Sequence, residues 1–191
     1  MGATILWGMV IFLAVVAAVV YFITVYNSLV RLRNNIDKAW ANINVLLKQR
    51  HDELPKLIET CKGYMQYEQK TFQLIVEART SFMKATSVGE KAQSDRLVSG
   101  ALKTLFAVAE KYPELKANNN FMQLQHRISE LEEKIADRRE FYNDAVMNNN
   151  TTVESVPYNI LAGFFGMRIK DLFTVAAADK ADVEVKFNLP K

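Results

Sequence analysis

The sequence predicts an all-α protein: an N-terminal transmembrane helix continuing into an antiparallel helical bundle of about four helices, then a short C-terminal helix and a tail. Three observations predict it. No charged side chain occurs from Met1 to Val30. Beyond that stretch, apolar residues recur at steps of three and four, the spacing of one helix face. Gly and Pro are scarce before Pro157, and alternating strand patterns are absent there. The expected organisation is a short tail over 1–4, a span over 5–26, a bundle over 27–173 and a C-terminal tail over 174–191.

The span comes first. A helix rises about 1.5 Å per residue, so roughly 20 apolar residues cross the hydrocarbon core. The run ILWGMVIFLAVVAAVVYFITVY, from Ile5 to Tyr26, is long enough. Ile5, Trp7, Phe12, Tyr21, Phe22 and Tyr26 are its expected lipid-facing anchors. Trp7, Tyr21 and Tyr26 lie near its ends, where aromatic rings prefer the headgroup layer. A cleaved signal peptide would need a basic start, a shorter apolar stretch and a small-x-small cleavage site. None of these is present, so an uncleaved anchor is expected. Gly8, Ala14, Ala17 and Ala18 permit close helix approach within the bilayer.

Flanking charge sets the expected orientation. Arg31, Arg33, Lys38, Lys48 and Arg50 follow the span closely, and only the terminal amine precedes it. The bundle is therefore expected on the cytoplasmic side with the N-terminus outside, a periplasmic bundle being the alternative. Arg31, Arg33 and Lys38 are the membrane-proximal cations that would hold the anchor and touch anionic lipid. Cys61, the single cysteine, cannot form an intrachain disulfide, which fits a reducing compartment.

The first bundle helix continues out of the span on Leu29, Ile36, Trp40, Ile43, Leu47 and Leu54, widened by Leu32, Ala39 and Leu46. Pro55 removes a backbone donor and is expected to kink the rod or to start a new helix. The second helix is expected from there to about Lys84, on Leu57, Ile58, Cys61, Tyr64, Met65, Phe72, Ile75 and Phe82, weakened locally by Gly63. ATSVGEKAQS reads as a connection, with Ser94 as N-cap of the third helix. That helix carries Leu97, Ala101, Leu102, Leu105 and Val108 and stops near Tyr112–Pro113. After a second connection, YPELKANNN, the fourth helix follows on Phe121, Leu124, Ile128, Leu131, Ile135, Tyr142 and Ala145. Its 3.5-residue period suits helices packed at shallow angles. NNNTT and Pro157 are expected to end it, and Val183, Val185 and Phe187 alternate in the tail.

Little in the chain points to catalysis. His51 and His126 are preceded at three residues by Lys48 and Gln123, which departs from the inward Glu-x-x-His pairs of di-iron bundles. A zinc site on Cys61 and two distant histidines would need an acidic fourth ligand or an open position. There is no Gly-x-Ser-x-Gly and no phosphate-binding loop. The expectation is no catalytic, metal or cofactor site. Net charge is +3 with both signs interleaved, so nucleic acid is not an expected partner. Arg50, Glu68, Arg79 and Arg138 fall on or beside apolar stripes. They sit either at stripe edges with buried stems or in an internal ion-pair layer.

NILAGFFGMR, from Asn159 to Arg168, is apolar but too short to cross a bilayer. Gly163 and Gly166 allow close backbone approach or a tight turn. Ile160, Leu161, Phe164, Phe165 and Met167 form one expected apolar cluster on a short helix. It is either a lid over an open end of the bundle or an exposed patch docking on lipid or a neighbouring subunit. Arg168 and Lys170 beside it suit anionic headgroups.

Three stretches together carry a family resemblance. They are YNSLVRLRNNIDKAWANINVLLKQRHDELPKLIETCKGY after the anchor, EARTSFMKA, and RREFYNDAVMNNNTTVESVPYNILAGFFGMR. Over roughly residues 26–173 the chain resembles the LemA family of bacterial membrane-anchored helical proteins. The resemblance implies a short N-terminal segment, one span and a helical bundle, and brings architecture more than chemistry. One branch of the family is associated with internal membrane compartments in magnetotactic bacteria. The expected function is accordingly a non-enzymatic single-span scaffold of the bacterial cytoplasmic (inner) membrane, self-associating as a homo-oligomer in membrane organisation. The alternative is a membrane-tethered adaptor for a cytoplasmic regulatory or client protein.

Overall fold

Nothing from Gly2 to Lys62 stops a helix, and α1 (Gly2–Lys62) runs through all 61 residues. The computed structural model describes residues 2–174. After α1 come α2 (Gln69–Lys84), α3 (Val88–Ala109), α4 (Pro113–Lys116), α5 (Asn119–Glu154) and α6 (Tyr158–Phe164), with no strand among the described residues. The chain is all-α, a helical bundle with one long apolar N-terminal helix. The alternating residues Val183, Val185 and Phe187 lie outside the described residues.

Several expected boundaries move: α3 ends at Ala109, before Tyr112–Pro113, and the expected connection YPELKANNN holds the one-turn helix α4, which Pro113 starts at its first position. Pro55 lies inside α1, neither ending it nor starting a new helix. The proline removes one rung of the hydrogen-bond ladder, at about 3 kcal/mol. Leu54 and Leu57 on either side are fully buried, and each stabilises by about 1.5–3 kcal/mol. The break comes instead at Gly63, where Tyr64 and Met65 N–H groups donate to the Cys61 carbonyl at 3.0 and 2.9 Å and the chain turns. Cys61 itself is fully buried, and burial pushes its thiol up to about 12, which makes it an inert core group.

The N-cap of α3 is Ser87, not Ser94. Ser87 and Glu90 form a capping box: the Ser87 hydroxyl accepts from the Glu90 N–H at 3.2 Å, and the Glu90 carboxylate accepts from the Ser87 N–H at 3.0 Å. Ser94 is buried inside the helix, 3.0 Å from the Ser81 hydroxyl. Backbone hydrogen bonds from Ser87 and Thr86 lower the Glu90 carboxyl to about 2. Its contribution is therefore fully present above the ordinary carboxylate range and is lost as pH falls from about 4 towards 2. An NMR titration of the Thr86 and Ser87 amides should show a midpoint near 2; a midpoint near 4 would refute the box. Ser87→Ala should lower stability by about 1 kcal/mol in thermal melts.

Another shift is in α5, which passes through NNNTT to Glu154. Asn and Thr usually compete with helical backbone. Here Asn149 is buried, Asn150 bonds the backbone at Lys170, and Thr152 donates to the Asn148 carbonyl at 2.8 Å.

The described residues divide into two compact units, 2–53 with Gln123–Leu172, and Leu54–Met122 with 173–174. In the first, α1 and α5 run antiparallel. Trp40 meets Tyr142 with ring centroids 5.8 Å apart, Arg50 meets Glu132 at 3.1 Å and Glu53 meets Arg127 at 3.2 Å, so rising numbers on α1 pair with falling numbers on α5. Ile36, Ile43 and Leu47 of the expected stripe are buried, as are Ile128, Leu131 and Ile135. Of the four misplaced polar groups, Arg50 is buried and paired, and Arg138 is exposed. In the second unit, α2 and α3 form a hairpin. The Tyr112 hydroxyl there donates to Glu68 at 3.1 Å, and Phe106 lies edge-on to Phe121.

Candidate functional site

Every residue of α1 from Gly2 to Thr24 is exposed. Ile5, Trp7, Phe12, Tyr21, Phe22 and Tyr26 are between 39 and 72 % exposed. An exposed apolar surface of this extent is foreign to a water-soluble monomer and marks contact with lipid or protein. This stretch is long and apolar enough to cross a membrane. The environment changes within one turn: Val25 and Leu29 are fully buried on one side of the helix.

What buries them is α6. Ala162 completes a small core with Val25 and Leu29, and Val153, Tyr158, Leu161 and Met167 pack against it. Phe165 lays its ring 4.7 Å from Tyr26 and 5.7 Å from Phe22, and Phe164 stands edge-on to Phe165 at 5.3 Å. The segment thus grips α1 where its lipid-like exposure ends.

Local geometry explains how the short helix stops there. The Met167 N–H donates to the Ala162 carbonyl at 2.9 Å and the Gly166 N–H to the Gly163 carbonyl at 3.3 Å. Gly166 has φ +64°. This is the Schellman motif, in which a left-handed residue closes the last turn. The strap beyond it is tied to α5. Lys170 N–H donates to Asn150 Oδ1 at 2.9 Å, Asn150 Nδ2 donates to the Lys170 carbonyl at 2.9 Å, and the Tyr142 hydroxyl donates to the Asp171 carbonyl at 3.0 Å. Burial, then the Asp171 and Asp37 carboxylates, raise the Tyr142 hydroxyl above its ordinary value, so it remains a donor at neutral pH.

The expected single cluster is divided in two. Leu161, Phe165 and Met167 are half-buried and turn toward α1 and the rest of the first unit. Ile160 is 70 % exposed and Phe164 80 % exposed, one helical turn apart on the other side. Arg168 is exposed, as are Arg31, Arg33 and Lys38. One face of the segment thus packs on Val25 and Leu29 of α1, and the other is exposed. Among the described residues, no three His, Cys, Asp or Glu side chains converge to hold a metal ion.

The LemA family model matches residues 39–187 of the chain. The chain belongs to the LemA family. It is similar to Protein LemA of Metamycoplasma hominis, 29 % identical over 181 residues, covering 91 % of this chain and 74 % of that protein. It is also similar to Magnetosome protein MamQ 2 of Paramagnetospirillum magneticum, at 25 % identity over 84 % of this chain and 69 % of the relative. Magnetosome protein MamQ of Magnetospirillum gryphiswaldense is 20 % identical over the same shares. With the exposed apolar length of α1, these likenesses make the chain a membrane-associated helical protein.

In this LemA-family chain the two glycines of the segment differ in role. A Cβ on either would meet open space, so close backbone approach explains neither. Gly166→Ala places an L side chain at positive φ and should destabilise by about 1–2 kcal/mol in thermal melts. Gly163→Ala lies within α6 and should be neutral or stabilise by up to about 1 kcal/mol. Equal effects from the two would contradict the motif. Ala162, Val153, Asn149 and Asn150 escaped sequence reasoning. A small apolar residue and two asparagines carry no periodic signal, whereas the four-residue step from Val25 to Leu29 was there to find.

Proposed function

We propose that this LemA-family chain is a non-enzymatic, single-span scaffold of the bacterial cytoplasmic membrane. Its N-terminus lies outside and its bundle is cytoplasmic, and it self-associates to organise membrane. The observation that carries this reading is the continuity of α1. The lipid-facing length and the buried stripe of the first unit are one helix, and α6 packs over their junction. A tether without a loop presents its folded unit to the bilayer in one orientation. Confinement to two dimensions gives such posts a high effective concentration, so weak lateral contacts suffice. The small residues Gly8, Ala14, Ala17 and Ala18 support close approach within the span. The likeness to proteins named for the magnetosome supports a role in shaping or populating a membrane.

Single cysteines placed along the span and on exposed positions of α5, in a Cys61→Ala background, test self-association by crosslinking in native membranes. A ladder of dimers and larger species is expected. Monomer at every position would overturn the scaffold. A fluorescent reporter fused after Lys191 should be active and a phosphatase reporter inactive; the reverse would put the bundle in the periplasm.

One observation favours the adaptor reading. Between α2 and α3 a cavity of about 380 Å³ is flanked by exposed Leu74 and Leu97. A defined client that binds the full chain but is lost on Leu74→Glu with Leu97→Glu, with crosslinked species unchanged, would favour that reading over the scaffold.

A further inference from the structure

Beside α6 is a second cavity of about 220 Å³, where Arg33, Arg168, Lys170 and Asn149 face the apolar side chains of Phe165 and Met167. We propose that it holds the phosphate of an anionic phospholipid, with the lipid's acyl chains against Ile160 and Phe164. The proposal rests on the reading of α1 as a membrane span and adds a specific lipid site to it.

Charge is the first argument. Three cationic side chains line this cavity and no acidic one does. Arg168 and Lys170 form no ion pair among the described residues, and Arg33 has only a 4.0 Å contact with Asp37, both side chains being mostly exposed. Such a contact is worth little, so all three cations are available. The buried amide of Asn149 adds a neutral polar group to the wall. The positive φ of Gly166 turns the chain so that Arg168 and Lys170 return to the side of Arg33.

Depth is the second argument. Ile5 to Tyr26 covers about 33 Å, matching a hydrocarbon core of about 30 Å. Phe165 contacts Phe22 and Tyr26, which puts it at the edge of that core. Arg33 lies seven residues past Tyr26, about 10 Å further along the helix. Headgroups occupy this layer, and a long arginine stem closes the remaining distance.

Size and neighbourhood choose the occupant. The cavity is smaller than the roughly 300–1,000 Å³ sites that enclose drug-sized ligands, so it suits a headgroup and not a whole lipid. A free phosphate would leave Ile160 and Phe164 in water. A phospholipid covers both, because Phe164 stands edge-on to Phe165 of the cavity wall, within reach of chains joined to a phosphate held there. Arg and Lys near a membrane surface favour anionic lipid by about fivefold each.

The full chain in nanodiscs of phosphatidylcholine doped with phosphatidylglycerol tests this. Native mass spectrometry should find phosphatidylglycerol enriched on the protein over the bulk composition. Arg33→Gln, Arg168→Gln and Lys170→Gln together should abolish the enrichment, each single change reducing it by up to about fivefold. In a Trp7→Phe, Trp40→Phe background, Phe164→Trp should be quenched by lipids brominated on their chains and shielded from aqueous iodide. Unchanged enrichment in the triple variant, with the chain still resistant to alkaline extraction, overturns the lipid site alone. Extraction of the wild-type chain by alkali overturns the span beneath it. Full access of Phe164→Trp to iodide, or a disulfide between copies through Phe164→Cys without lipid quenching, removes lipid as the occupant.

Discussion

Glu132→Ala is expected to destabilise the protein by about 2–3 kcal/mol, although Glu132 is a partly exposed residue in a charged stretch of α5. Its partner is the reason. Arg50 is only 2 % exposed, and its Nη1 donates to Glu132 Oε1 at 3.1 Å. Removing one member of a buried pair costs about 3–5 kcal/mol, because the other charge stays desolvated. The Glu132 side chain is 39 % exposed, so water screens part of the interaction and the lower figure applies. Replacing both residues with apolar side chains of similar volume removes the buried charge together with its partner. Arg50→Met with Glu132→Leu should therefore be no less stable than Glu132→Ala alone, and closer to wild type. Denaturant unfolding of the full chain in micelles, followed by ellipticity, measures the cycle. If Arg50→Met and Glu132→Leu, each made singly, simply add in the double variant, the ion pair is not what orders this layer.

Ala162→Asp is the second large effect. Ala162 sits in the small core with Val25 and Leu29, where no water reaches it. A carboxylate among these apolar side chains must be desolvated or expelled, at about 3 kcal/mol or more. Expulsion detaches α6 and exposes Leu161, Phe165 and Met167. The expected result is a lowered melting temperature with rapid proteolysis between Ser155 and Lys170 in membrane-bound protein. Truncation at Pro157 should lower melting to a similar degree. A fully protease-resistant Ala162→Asp chain would show that α6 is not held by this core.

These two sites divide along the line between local pattern and tertiary packing. The apolar run from Ile5 to Tyr26 and the stripe of Leu29, Ile36, Ile43, Leu47 and Leu54 were legible in the sequence. Periodic burial is a property of one helix, and each residue repeats the same signal. The ends of α5 and the second helix were not legible. Pro55, Asn148, Asn149 and Asn150 each disfavour helix by an amount that nearby burial or a hydrogen bond exceeds. Ser94 and Ser87 have the same capping chemistry, but Glu90 stands three residues after Ser87 and completes the box.

NILAGFFGMR shows the same division at the candidate site. Its apolar character and its two glycines were in the sequence, and so was the presence of cations beside it. Which of its side chains turn inward was decided by the seat that Val25, Leu29 and Tyr26 offer it. The same contact brings Arg168 and Lys170 to Arg33, more than a hundred residues earlier in the chain. By itself the sequence determined the helices, the membrane-length apolar stretch and the buried stripe, because those follow from the period of a single element. Only the tertiary structure decided where helices end, which face of α6 is free and which cations share a cavity, because those depend on burial supplied by residues distant in the chain.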